Sequence, residues 1–259
     1  MTTEFDLVDG AIYGPVTSRR LGASLGINPL PSGVKACGFN CNYCQLGWTY
    51  ELVEESLSKH PWPTAEEIAR ALETKLKELK AAGRAVDSIT FAGNGEPTLH
   101  PDFDGVVGDV LAVRDHEAPG VEVGILTNGA LLHDHPRVVG GCNLLDERYV
   151  KLDGGTDAIF LEMNSPTFDI SVWNIIQGAK RLRDCVVQAM FTRGRRDNTK
   201  EKDVADWIRA VGQINPKAAQ IYTISRTPAD NRVAECPRTR LDEIAAQLTR
   251  ETGVSAEVF

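Results

Sequence analysis

Short apolar runs that stop at polar or glycine-bearing tips, with helical stretches between them, constrain this chain more than any other feature of its sequence. The runs lie at about 24–28, 88–92, 121–126, 148–152, 186–191 and 219–224. The helix between the first two is clearly marked. Thr64-Ala65-Glu66-Glu67 is a capping-box sequence, and Ile68, Leu72, Leu76 and Leu79 recur at helical spacing until Gly83 stops the run. Further helices are expected at about 102–117, 136–139, 156–163, 170–183, 200–213 and 240–251, the last ahead of a terminal strand at 255–259. Repeated strand–helix units imply parallel strands joined by right-handed crossovers, with helices covering the outer face. Six units fall short of the eight that close a full barrel. The expected fold is α/β, an open, partial (βα)6 TIM-type barrel with a short terminal strand. The 259 residues suit a single domain over 1–259, with an N-terminal extension at 1–23 and a cysteine-bearing loop at 33–50. Within the extension, Gly14 to Gly22 reads as turn and irregular structure, and Pro29 and Pro31 end the first strand.

In parallel α/β barrels, binding chemistry gathers at the C-terminal ends of the strands, and the unusual residues of this chain fall there. After the first strand comes Cys37-Gly38-Phe39-Asn40-Cys41-Asn42-Tyr43-Cys44. Such spacing puts several thiolates on one metal centre. An iron–sulfur cube on three cysteines keeps one iron open; zinc completed by His60 or a distant cysteine, and a disulfide loop, are competing readings of the residues alone. The second strand ends in Gly93-Asn94-Gly95-Glu96-Pro97, a carboxylate in a loop whose glycines admit close backbone approach. The third ends at Thr127-Asn128-Gly129. Lys151 and Asp153 close the fourth, two residues apart and hence on one face. Gln188 and Met190 share a face of the fifth, and Tyr222 and Ile224 a face of the sixth. Cys142, Cys185 and Cys236 are scattered and read as small buried hydrophobes, with no second cluster expected.

The balance of 28 Lys+Arg against 36 Asp+Glu gives −8, which argues against nucleic acid as a partner, with Arg193-Gly194-Arg195-Arg196 the basic stretch to set against it. No apolar run approaches the ~20 residues that span a bilayer. The acidic opening Met-Thr-Thr-Glu-Phe-Asp carries no secretory signal, and six cysteines in this arrangement are not a secreted disulfide framework, so a cytoplasmic protein is expected.

The cysteine stretch resembles the CxxxCxxC signature of the radical S-adenosylmethionine (SAM) enzymes. The likeness runs from Gly14-Pro15-Val16-Thr17-Ser18-Arg19-Arg20 through Gly93 to Thr98 and Lys151 to Gly155, as far as the sixth strand. The form it resembles is the compact iron–sulfur oxidoreductase branch, related to wybutosine-type radical enzymes. The resemblance implies an enzyme with one [4Fe–4S] cluster on Cys37, Cys41 and Cys44 and SAM on the open iron. SAM would be cleaved reductively to a 5′-deoxyadenosyl radical that takes a hydrogen atom from substrate. The resemblance also implies SAM contacts from Tyr43, Gly95, Glu96, Pro97, Asn128, Lys151, Asp153, Gln188, Met190, Tyr222 and Ile224, with Glu96 at the methionine amine. Asn94 stands where the commoner motif has Gly. Arg19, Arg20, Arg193 and Arg226 are substrate-side candidates, guanidinium groups that a barrel would bring to one mouth for a small anionic molecule. Reduced flavodoxin or ferredoxin is the expected electron donor. A glycyl-radical-enzyme activating enzyme, a tRNA-base-modifying radical enzyme and a non-catalytic metal-binding module are the alternatives.

Overall fold

The computed structural model describes residues 7–53 and 58–259. One eight-stranded sheet runs in the order β1 (Ile12–Ser18), β2 (Gly22–Ile27), β3 (Ser88–Phe91), β4 (Glu122–Thr127), β5 (Glu147–Lys151), β6 (Val186–Met190), β8 (Ala218–Tyr222) and β10 (Ala256–Val258). Only the β1–β2 pair is antiparallel. Two further short strands, β7 (Thr192–Gly194) and β9 (Val233–Glu235), form a separate antiparallel ribbon. Helices fill the crossovers: α1 (Ala65–Ala81), α2 (Phe103–Glu117), α3 (Pro136–Leu144), α4 (Asp157–Asn164), α5 (Val172–Ala179), α6 (Glu201–Ile214) and α7 (Arg238–Thr252). Among the described residues no helix is long and apolar enough to cross a membrane.

The local sequence explains α1. Glu67 N donates to Thr64 Oγ1 at 3.2 Å while Thr64 N donates to Glu67 Oε2 at 2.7 Å, so the capping box forms as the sequence predicts. Ile68, Leu72, Leu76 and Leu79 are the buried stripe. Along the strands, period-two alternation separates two faces. Leu25, Ile27, Ile89, Phe91, Val123, Ile125, Val187, Ala189 and Ile221 join the helices' Val106, Val110, Trp207 and Leu241 in one buried core. Their alternates mix polar residues with glycines and a few apolar side chains such as Leu126 and Met190. Ser24 bonds Thr90 across the first pair at 2.9 Å, and Gln188 Nε2 donates to Gln220 Oε1 at 2.8 Å.

That alternate face lines the inside of a curled sheet. The Arg20 guanidinium, at the turn into β2, sits 4.5 Å from the centroid of the Tyr222 ring on β8. Five interstrand steps of about 4.8 Å would hold β2 and β8 about 24 Å apart in a flat sheet. The strands therefore wrap round a shared interior, and the edges β1 and β10 remain unpaired with each other.

Three features differ from the sequence reading. Gly14 to Ser18 is not irregular: it belongs to β1, whose register against β2 shifts between Tyr13 and Val16, and that bulge absorbs the Gly-Pro pair. Thr192-Arg193-Gly194 is a strand, because Val233–Glu235 returns to pair with it. Ile224 does not share a strand face with Tyr222, since β8 ends at Tyr222.

Candidate active site

The cysteine loop follows β2 and is tied down by backbone bonds to three other segments. Ala36 forms a parallel bridge with Gly95: Ala36 N donates to Asn94 O at 2.8 Å and Glu96 N to Ala36 O at 3.0 Å. Asn40 N donates to Asn164 O at 2.9 Å and Asn42 N to Met163 O at 3.1 Å, both at the end of α4. Asp230 N donates to Asn42 O at 2.8 Å. Gly95 holds the approach to β3 possible: its φ is +146°, and a Cβ there would fall on the Ala36 carbonyl. Asn94 needs no glycine conformation. Its buried side chain accepts from Val8 N and donates to Val8 O and Pro31 O, clasping the chain before and after β2.

The thiols form one electrostatic group. Burial pushes Cys37 up to about 12, aided by neighbouring Cys41, and burial with Cys44 pushes Cys41 up to about 11. Lys35 and the Phe39 N–H offset part of that cost at Cys37, and the Asn164 amide does so at Cys41. Asn164 Nδ2 donates to Cys41 Sγ at 3.3 Å and Asn128 Nδ2 to Cys37 Sγ at 3.9 Å, while Phe39 N donates to Cys37 Sγ at 3.4 Å. Among the described residues, no three His, Cys, Asp or Glu converge to hold a single metal ion. A four-iron cube carries its thiolates on separate corners and asks for no such convergence. Three half-buried thiols with amide donors on two of them, on an anchored loop, fit that group.

Asp153 organises the next ring of residues. Its Oδ1 accepts from Met190 N at 2.7 Å and lies 2.9 Å from Lys151 Nζ; its Oδ2 accepts from Asn164 Nδ2 at 2.7 Å and from the Tyr43 hydroxyl. Lys151 Nζ also donates to the Tyr222 hydroxyl at 2.9 Å and lies over the Tyr43 and Tyr222 rings. Burial opposes the charge on Lys151, but Asp153 and Tyr222 outweigh it and hold its pKa above the usual lysine range.

Glu96 joins the ends of β3 and β4. Oε1 accepts from Thr98 N at 3.2 Å, Thr98 Oγ1 at 2.6 Å and Thr127 Oγ1 at 2.6 Å; Oε2 accepts from Asn128 N at 2.7 Å. Burial raises its pKa despite these donors. A carboxylate offers about four lone-pair sites, two on each oxygen, so Oε2 retains one direction for a further donor. Pro97 opens the short 3-10 turn that Glu96 caps.

The sequence-predicted residues gather unevenly. Cys37, Cys41, Cys44, Tyr43, Glu96, Asn128, Lys151, Asp153, Gln188, Met190 and Tyr222 share one hydrogen-bonded or electrostatic neighbourhood. Among the arginines, Arg226 reaches Gln45 Oε1 at 2.8 Å beside the cysteine loop, and Arg20 enters the barrel interior. Arg19 is exposed at the β1–β2 turn and Arg193 on the β7–β9 ribbon, so the four guanidinium groups do not meet at one mouth. Asn164 was not foreseen. Cys142, Cys185 and Cys236 are each buried and unbridged, on α3, before β6 and after β9. A groove lined by Ala11, Glu67, Arg70 and Lys75 holds none of the candidate residues.

A curled parallel sheet with a loop of three thiols at one strand end defines a partial α/β barrel with its thiols gathered at the mouth. Residues 32–208 match the Radical SAM superfamily, more than half of the chain, and the chain belongs to that family. The family implies SAM and an iron–sulfur cluster. The chain is 30% identical over 235 residues to a Brachyspira hyodysenteriae protein named GTPase Obg, covering 89% of this chain and 32% of that one. It is 28% identical over 229 residues to a UPF0026 protein of Methanocaldococcus jannaschii, covering 85% of this chain and 65% of that one. It thus spans less than two thirds of each of these relatives. Among solved structures, Streptococcus suis SuiB bound to precursor peptide SuiA matches with a TM-score of 0.64 at 15% identity, covering 90% of this chain and 48% of that one. TYW1 with a lysine–pyruvate adduct bound matches at 0.63 and 13% identity, covering 90% and 76%. At such identities the likeness is one of fold.

Proposed function

We propose that this chain is a radical SAM enzyme holding one [4Fe–4S] cluster on Cys37, Cys41 and Cys44, and that it acts on a small anionic substrate with electrons from reduced flavodoxin or ferredoxin. The observation that carries the reading is the pair of amides, from the β4 tip and the α4 end, that reach the sulfurs of Cys37 and Cys41. Bound on the three thiolates, the cluster with SAM supplies a one-electron cleavage giving methionine and the 5′-deoxyadenosyl radical. The chain's own residues orient and hold charge. Asn128 and Asn164 donate to thiolate sulfur, which stabilises the more negative, reduced state. Glu96 offers its free Oε2 direction to the SAM ammonium. Lys151, kept protonated by Asp153, supplies a cation for the SAM carboxylate. Tyr43 closes over this pair and helps to exclude water.

Anaerobic reconstitution tests the reading. The expected product is a brown protein with about four irons per chain that forms 5′-deoxyadenosine from SAM and dithionite. Replacing Cys37, Cys41 or Cys44 with Ala should remove both. A colourless protein holding one zinc through these thiols would end it.

A further inference from the structure

Among the described residues, the Arg20 guanidinium has the Tyr222 ring beneath it but no carboxylate paired with it inside the barrel. The β1–β2 turn is fixed where Ser18 Oγ accepts from Arg20 N and Leu21 N, both at 3.2 Å, and from there the side chain reaches the Tyr222 ring. Its Nη1 is buried and has no hydrogen-bond acceptor. A buried donor on a charged group is costly to leave unpaired. Neither carboxylate of the site bonds it: Asp153 is engaged on both oxygens by other donors, and Glu96 is held between the β3 and β4 tips. Tyr149 lies within electrostatic reach of Arg20 and also of Glu147, Glu122 and Glu257. Glu147 is bound to Lys217 at 2.6 Å, and none of the three hydrogen-bonds the guanidinium.

Tyr222 connects this cation to the cofactor residues. Its ring lies under Arg20 and its hydroxyl accepts from Lys151. Arg20 and Lys151 therefore bring two positive charges to one tyrosine, against the single carboxylate of Asp153. Ser24, Thr90, Gln188 and Gln220 are neutral; the acidic residues of the same face, Glu122 and Glu147 at the starts of β4 and β5 and Glu257 on β10, gather about Tyr149, with Glu147 held by Lys217.

We propose that Arg20 binds the anionic group of the substrate, a carboxylate or a phosphate, inside the barrel against the Tyr222 ring. A guanidinium fork suits either group, and the tyrosine face fixes its plane. The assignment rests on the radical-enzyme reading for what molecule bears the anion, and not for the anion binding itself.

Acetate and inorganic phosphate are the probes, added at constant ionic strength to the reconstituted protein in its oxidised state. Binding is read by calorimetry and by the arginine 15Nε resonances, that of Arg20 being identified by its loss in Arg20→Lys. At least one anion should saturate, shift the Arg20 signal, and bind about tenfold or more weakly to Arg20→Gln. Saturation by acetate assigns a carboxylate, and by phosphate alone a phosphate. An Arg20 signal unmoved by either anion, or equal affinity in Arg20→Gln, overturns the proposal; the wild-type signal decides even if that variant does not fold. Deoxyadenosine formation is measured on the same samples. Anion binding without SAM cleavage would remove the radical reading and leave the site, whereas cleavage without anion binding would remove the site alone.

Discussion

Asn164 puts one amide nitrogen between three acceptors: Cys41 Sγ, the Tyr43 hydroxyl and Asp153 Oδ2. Donation to a cluster thiolate stabilises added negative charge, so Asn164→Ala should retain its iron yet show a more negative midpoint in a redox titration followed by electron paramagnetic resonance. An unchanged midpoint would mean that the amide serves only Asp153. Glu96 makes a different kind of prediction. In Glu96→Gln an amide nitrogen placed at the Oε2 position would meet the Asn128 N–H, donor against donor. The variant should lose about 1–3 kcal/mol of stability in urea titration, the cost of leaving buried partners unmatched, in addition to weaker SAM binding. That the cysteines and Glu96 would lie near one another was legible in the sequence, because each falls at the C-terminal end of a parallel strand. Asn164 was not, since an Asn at a helix end reads first as a cap residue, and its role comes from tertiary contact.

The join between the β2 and β3 tips makes Gly95 sensitive. Gly95→Ala would drive a methyl group into the Ala36 carbonyl and force apart the bridge that carries Cys37. Iron per chain after reconstitution should fall well below wild type, while far-ultraviolet circular dichroism keeps its α/β form; full iron loading would show that the bridge is dispensable. Legibility also varied among the elements. α1 could be read from its cap and stripe because both signals are local. β1 could not, because Gly14-Pro15 imitates a turn and only pairing with β2 reveals the strand. β7 was hidden for a related reason: three residues carry no periodicity, and the partner β9 lies about forty residues further on.

Across the whole molecule, the cysteines divide into two populations. Cys142, Cys185 and Cys236 lie in separate places in the core, and changing all three to Ser should leave iron content and SAM cleavage at the parent level with some loss of stability. Iron halved in that triple variant would reveal a second cluster. The curl of the sheet was only partly legible, because unit counting gives the number of strands but not the reach of Arg20 across them. The anchored cysteine loop also governs where the chain can be cut. Residues 36–42 are bonded to β3, α4 and the segment at Asp230, whereas Tyr50 is 86% exposed and Leu52 50% exposed a few residues on. Brief chymotrypsin treatment should therefore cleave after Tyr50 before Phe39, which is 2% exposed. The nicked protein should elute from gel filtration as one particle and part into two fragments only on a denaturing gel, because the thiol-bearing half of the loop is already sewn into the barrel on its own side of the cut.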